Sequence, residues 1–368
     1  MGMYDERACV RQLDVPAGRR ILVISDIHGN LKYLEALLEK AGFCAEDELI
    51  IDGDFLEKGE QSLEVLHLLM RLAEQGNTHV IMGNCDDWGA IFTEKTQWMD
   101  HIMHYVNYRK SGLLWDMMLE QGDKPDEITD FSQYRWKLKE RYSAEFEFLK
   151  KLPQALYTDK FVFAHAAVCP DKALEEHLVR DFVRCDRFMD LGFCFDRWVI
   201  VGHTPVMLYL EDNVCANPII DRNRKIISID GACVLKDDGQ LNCLIIPDRD
   251  SEDFGFVSYD HFPVRRVKTA QKGSRSSYYI RWNDSRVRVL SRGEEFSRCR
   301  HIRTGYEMDI LTKYLFTQDD ETDCNDCTDY ILPLEAGDEV SVVETTSRGY
   351  FVKHKGTSGW YFGELEAE

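Results

Sequence analysis

Three short aliphatic runs, Ile21-Leu22-Val23-Ile24, Leu49-Ile50-Ile51 and Val80-Ile81-Met82, each break into a polar turn with glycine in it: Asp26-Ile27-His28-Gly29, Gly53-Asp54 and Gly83-Asn84. Apolar runs of this length bounded by turn residues predict buried strands. The segments between them carry the other period. Leu31, Leu34, Leu37, Leu38 and Ala41 recur at helical spacing, and so do Leu63, Leu66, Leu69, Met70 and Ala73. Strand, helix, strand, helix, strand predicts a doubled βαβ unit. In such sheets ligands collect outside the carboxyl ends of the strands, so Asp26, His28, Asp54 and Asn84 are expected to converge.

The second half repeats the logic. Phe161-Val162-Phe163-Ala164 runs into His165, and Trp198-Val199-Ile200-Val201 into Gly202-His203-Thr204. Ile226 to Ile229 then leads to Asp230-Gly231-Ala232, with Gln240 to Ile246 expected as its hairpin partner in a mixed second sheet. A single histidine at a strand end is more often structural than ligating. Two Asp, three His and one Asn at successive strand ends form instead the donor set of a pair of hard divalent cations with one bridging carboxylate. Glycine beside the ligands lets the backbone turn close to the ions. The chemistry implied is hydrolysis of a phosphate ester.

As an ordered series these motifs resemble the calcineurin-like metallophosphoesterase superfamily over about residues 20–248. The resemblance implies an α/β fold, a metallophosphoesterase-type β-sandwich flanked by helices. It places Asp26 and His28 on a first metal, Asn84, His165 and His203 on a second, and Asp54 between them. Two divalent ions are expected, manganese or iron first and zinc, nickel or magnesium as alternatives, with a hydroxide between them attacking phosphorus in line. Gly202-His203-Thr204-Pro205 lacks a histidine two residues on, as in the protein Ser/Thr phosphatase and diadenosine tetraphosphatase branch. Gly53-Asp54-Phe55-Leu56-Glu57-Lys58-Gly59 resembles that branch's G-D-x-x-D-R-G, and Ser228 to Ala232 is similar to its I-D-T-G-A. Lys58 then stands where the branch clamps phosphate with arginine, keeping the charge but losing the bidentate fork. A second clamp is expected from Arg184, with Arg180 and Arg187 close behind.

The main departure is Gly83-Asn84-Cys85-Asp86, in which Cys85 replaces a histidine that the resemblance pairs with the carboxylate at Glu57 to assist the leaving group. A thiol of ordinary pKa about 8.5 forms no equivalent charged pair. Alkyl esters are therefore expected to react slowly, and aryl esters and anhydrides well. The G-N-C-D form, with Ser25 to Gly29, resembles a bacterial phosphodiesterase branch, which makes diesters and dinucleoside polyphosphates the alternative substrates to phosphoproteins and small phosphoesters. A reading of another class is a regulatory protein with a decayed site, but decay supplies no reason to keep all six ligands.

The remaining sequence bounds the setting. A net charge of −20 argues against a dedicated nucleic-acid binder. With no leader-like or membrane-spanning apolar stretch, a cytoplasmic location is expected. Scattered cysteines point to reduced thiols, and Cys324-Asn325-Asp326-Cys327, within an acidic stretch from Asp319 to Asp329, reads as a surface linker. Residues 88–156 read as a helical, aromatic insertion in a catalytic domain of residues 1–248, including Trp88, Trp98, Tyr105 and Trp115. It is expected to pack on the sheet, with a rim contribution near Asp87 and Trp88. Residues 249–368 read as β-rich, with a repeat that resembles tandem SH3-like barrels and would take a peptide or protein partner. Their basic cluster from Arg265 to Arg303 is expected to complement the acidic catalytic domain.

Overall fold

Strands β2 (Ile21–Ile24), β3 (Glu48–Asp52) and β4 (Thr78–Ile81) run parallel, joined by helices α1 (Leu31–Ala41) and α2 (Ser62–Ala73). The doubled βαβ unit is thus present where the periodicity predicts it. All residues of β2 and β3 are buried, as expected of a parallel sheet covered on both faces. α1 buries Leu34, Leu37, Leu38 and Ala41; the Asn30 side chain caps its start by accepting from the Tyr33 N–H, and left-handed Gly42 ends it.

The computed structural model describes residues 3–89, 99–211, 213–318 and 321–366. They form two compact units, one of residues 1–205, 218–235 and 239–260, the other of residues 206–217, 236–238 and 261–368. The first unit holds two sheets. One has the order β12-β11-β2-β3-β4, with β11 spanning Leu241–Ile246 and β12 Gly255–Tyr259. The other is mixed, in the order β1-β5-β6-β7-β10-β9, built from Val10–Gln12, Ala155–Tyr157, Phe161–Ala164, Trp198–Val201, Ile226–Ser228 and Ile219–Asp221. Val23, Ile50 and Ile81 of one sheet and Phe163, Trp198 and Ile200 of the other share one core, which makes the pair a sandwich.

The expected hairpin of residues 226–229 with 240–246 does not form. β10 is flanked by β7 and β9, and β11 lies in the opposite sheet, antiparallel to β2 with Cys243 opposite Ile24. The link between them is too long for a tight hairpin turn and passes through left-handed Ala232 and Val234. Leu244 and Ile246 enter the shared core, which is reached from either sheet, so their apolar pattern marks a strand without naming its partner.

The insertion forms α3 (Met99–Arg109), α4 (Leu113–Glu120), α5 (Phe131–Arg141) and α6 (Ser143–Lys150). Residues 90–98, Trp98 among them, lie outside the described residues. α4 and α6 pack on α2, burying Met117, Met118, Phe146 and Leu149, so the insertion rests on a helix layer.

In the second unit, β8 (Val214–Cys215) joins a sheet of order β13-β21-β22-β23-β8, with β13 Val264–Arg266, β21 Glu339–Thr346, β22 Gly349–His354 and β23 Thr357–Tyr361. Val267, Leu334, Val340, Val352 and Tyr361 form its core. A separate small core of Ile280, Val287, Cys299, Met308 and Ile310 backs the sheet of β15 (Val287–Ser291), β16 (Phe296–His301) and β17 (Glu307–Leu311). Cys324 belongs to that core, 2% exposed and with its Sγ 4.0 Å from that of Cys327. The surface-linker reading of these cysteines is therefore corrected: each lies in a strand, Glu321–Cys324 and Cys327–Thr328, whose thiols replace aliphatic side chains. Asp319 lies outside the described residues. No helix among the described residues is long and apolar enough to cross a membrane.

Candidate metal centre

The turns after β2, β3 and β7 hold non-glycine residues in left-handed backbone: Asp26 (φ 55°), His28 (50°), Asp54 (50°) and His203 (65°). Each such residue carries a cost of about 1 kcal/mol or more, and clusters of them mark functional loops. The reversals turn side chains from separate strand ends toward one point. Close approach completes the packing, since a Cβ on Gly83 would fall 2.3 Å from Asp54 Oδ1 and one on Gly202 2.2 Å from Asp26 Oδ2.

Hydrogen bonds behind the ligands set their aim. His165 Nδ1 donates to the Asp52 carbonyl (2.9 Å), which turns Nε2 to within 3.3 Å of both Asp54 Oδ1 and Asn84 Oδ1. His28 Nδ1 donates to the Leu56 carbonyl, leaving Nε2 3.8 Å from Asp26 Oδ1 and 3.9 Å from Asp54 Oδ2. The His203 amide donates to Asp26 Oδ2 (2.9 Å), and the His203 and His165 rings meet edge to face at 5.1 Å. Fixing one ring nitrogen so that the other faces a metal is the usual way proteins orient ligating histidine. Asp86, not singled out as functional from the sequence, holds the loops together: its carboxylate accepts from the amides of Gly83, Asp54 and Leu56. Its only sequence signal is an acidic residue closing a Gly-Asn turn.

Two overlapping donor groups result. Ligand atoms of His28, Asp54 and Cys85 lie within 4.8 Å of one another, as do those of Asp54, His165 and His203. Asp54 belongs to both, the place expected of a bridging carboxylate. Burial and then neighbouring Lys58 lower His28 to about 3; burial and then His165 lower His203 to about 3. Both rings are thus neutral and offer lone pairs. Burial would raise Asp54, but charged His165 outweighs it and holds Asp54 ionised. Burial and Asp230 raise Asp26, and one oxygen of buried Asp230 has no partner. Crowded, buried carboxylates with the neutral His28 and His203 imidazoles and an amide fit divalent cations, whose charge would relieve the crowding and take the place of the His165 proton.

The remaining expected residues are placed around this centre. Lys58 Nζ lies 3.2 Å from His28 Nε2. A cavity of about 390 Å³ adjoins the ligands, lined in part by Asn84, Cys85, Trp88, Tyr105 and Arg184. Arg184 lies 4.9 Å from the Tyr4 ring and donates to its hydroxyl. Arg180 pairs with Asp5 and Arg187 with Asp190, so among the three arginines named from the sequence Arg184 is the one at the cavity. Cys85 enters a donor group, a role the sequence reading did not give it, and burial and Asp54 push its thiol well up. Glu57, 3% exposed, takes the Tyr105 hydroxyl (3.0 Å) on one oxygen and the Leu113 N–H (2.9 Å) on the other. The insertion therefore does more than supply a rim near Asp87 and Trp88: α3 forms part of the cavity wall. Tyr105 was legible only as one aromatic among many.

The family model for calcineurin-like phosphoesterases matches residues 19–207. The chain belongs to the calcineurin-like phosphoesterase family. Among curated relatives, serine/threonine-protein phosphatase 7 of Arabidopsis thaliana is 29% identical over 85 residues, 22% of this chain and 21% of that protein. The symmetrical bis(5'-nucleosyl)-tetraphosphatase of Buchnera aphidicola subsp. Baizongia pistaciae is 39% identical over 64 residues, 17% of this chain and 22% of that protein. The chain thus spans about a fifth of the length of the curated relatives it matches. Among solved structures, a candidate diadenosine tetraphosphatase is 18% identical with a TM-score of 0.45, covering 69% of this chain and 99% of its own.

Proposed function

We propose that this phosphoesterase hydrolyses phosphate esters at a dinuclear metal centre. The observation that carries the reading is the pair of donor groups sharing Asp54, with Lys58 beside His28 and Arg184 on the wall of the adjoining cavity. Asp26 and His28 would hold one divalent cation and Asn84, His165 and His203 the other, with manganese or iron suited to this mix of oxygen and imidazole donors. Such cations supply Lewis acidity and lower the pKa of water.

The chain's own residues do the rest. The Asp52 and Leu56 carbonyls orient the ligand rings. Lys58, a single ammonium rather than a fork, would neutralise one phosphoryl oxygen, and Arg184 would reach the substrate from the cavity wall. Asp86 holds Asp54 and the Asn84 turn in register through their amides. Substrate identity is open to a direct test: turnover, with Mn²⁺, of p-nitrophenyl phosphate, bis-p-nitrophenyl phosphate, diadenosine tetraphosphate and a phosphoserine peptide, with Asp54→Asn as control. Turnover lost in the control supports the reading, and the preferred substrate assigns the branch. No turnover on any of the four, with metal bound, overturns it.

A further inference from the structure

Breaking a P–O bond to a poor leaving group leaves charge on the departing oxygen unless a proton arrives in the same step. The expectation of slow alkyl-ester turnover assumes that nothing supplies it once Cys85 stands in the turn. The cavity wall offers a donor that the strand-end motifs do not contain. Tyr105, on α3, lines the same cavity as Asn84 and Cys85, and its hydroxyl is bonded at 3.0 Å to Glu57. Glu57 is itself fixed: its Oε1 takes the Leu113 N–H, and a Cβ on Gly112 would fall 2.4 Å from the Oε2 that faces Tyr105. A half-exposed phenol is thus held by a buried, immobilised carboxylate beside the reacting centre.

Resting on the phosphoester reading above, we propose that Tyr105, backed by Glu57, is the proton donor to the leaving group. Burial raises Glu57 to about 7 against the lowering effect of the Leu113 and Tyr105 hydrogen bonds, Trp88 and Arg109, so near neutral pH a large fraction of it carries a proton. In that state the Glu57 O–H donates to the phenolic oxygen, and the Tyr105 hydrogen turns to the cavity. When the P–O bond breaks, its electron pair stays on the leaving oxygen, which takes the Tyr105 proton. The Glu57 proton passes to Tyr105, and the carboxylate left behind is reprotonated from water. Cys85, Arg109 and Asp116 are the other charged or titratable groups that act on this pair. His101 also lines the cavity, with an exposed side chain.

The test is a leaving-group series, aryl to alkyl phosphates, on the Mn²⁺-loaded protein. The slope of log kcat/KM against leaving-group pKa is compared for wild type, Tyr105→Phe and His101→Gln. Tyr105→Phe is expected to steepen the slope, the loss growing to about 100-fold at the alkyl end. Cys85→His in the Tyr105→Phe background is expected to flatten it again by restoring a donor. A Tyr105→Phe line parallel to wild type shows packing alone and overturns the proposal, as does a steeper slope with His101→Gln in place of Tyr105→Phe. Wild-type protein without any turnover abolished by Asp54→Asn overturns the phosphoester reading itself, a result distinct from a parallel line in an active enzyme.

Discussion

The strand-end loops and the helical insertion both reach the centre, but by different physics. Each loop places a candidate ligand by local means: a buried strand stops, a left-handed residue turns the chain, and a backbone carbonyl aims the ring. α3 and α4 act at a distance, one through the Tyr105 hydroxyl and the other through the Leu113 amide, both converging on Glu57. Residues whose role is set by their own turn are tied to short motifs. A residue whose role is set by how a helix docks carries no such mark.

The largest expected effect tests the loop side of this contrast. Asp54→Asn, removing the charge shared by both donor groups, should lower phosphoesterase turnover more than about 1000-fold and bound metal with it, read by kinetics and elemental analysis. Asp86→Ala comes next, because it leaves the amides of Gly83, Asp54 and Leu56 without their acceptor; a loss of about 3 kcal/mol in urea unfolding is expected. A loss under about 0.5 kcal/mol would mean that the loops hold themselves. Lys58→Ala should lower kcat about 30-fold with a smaller change in KM, since its charge acts on the phosphoryl oxygens. Equal loss in both would recast Lys58 as a His28 partner.

The smallest effect sharpens the insertion side. Asp116 of α4 accepts from the Leu63 amide at the start of α2, and burial, with Glu64 adding, raises it to about 7. A carboxyl raised in the folded state favours folding fully below its unfolded pKa of about 3.9, and that contribution is lost as pH climbs to about 7. Asp116→Asn should therefore remove about 1 kcal/mol of the fall in metal-free stability between pH 4 and 7, followed by urea midpoints. An unchanged slope would show that the helices dock on α2 without strain from this charge.

Much of the first unit was legible because its constraints are local. Leu34, Leu37 and Leu38 give α1, and Ile21 to Ile24 give β2, since period and burial agree along one segment. The pairing of β11 was not legible, because Leu244 and Ile246 suit either sheet and only long-range closure of the sandwich chooses β2. Nor was the burial of Cys324, for a thiol between acidic residues has no periodic signature. Arg184 could be named but not separated from Arg180 and Arg187 until Asp5 and Asp190 were seen to take the other two.

By itself the sequence determined the candidate donors at the strand ends and their order, because chemistry that needs Asp, His and Asn at sharp turns leaves those residue types next to apolar runs and glycine. Only the tertiary structure decided what surrounds them: that Cys85 joins His28 and Asp54 in a donor group, that Asp86 ties three amides, and that Tyr105 meets Glu57. These are contacts between residues distant in the chain, fixed by how layers pack. No residue's neighbours in sequence feel that constraint, so nothing in the sequence around it records the contact.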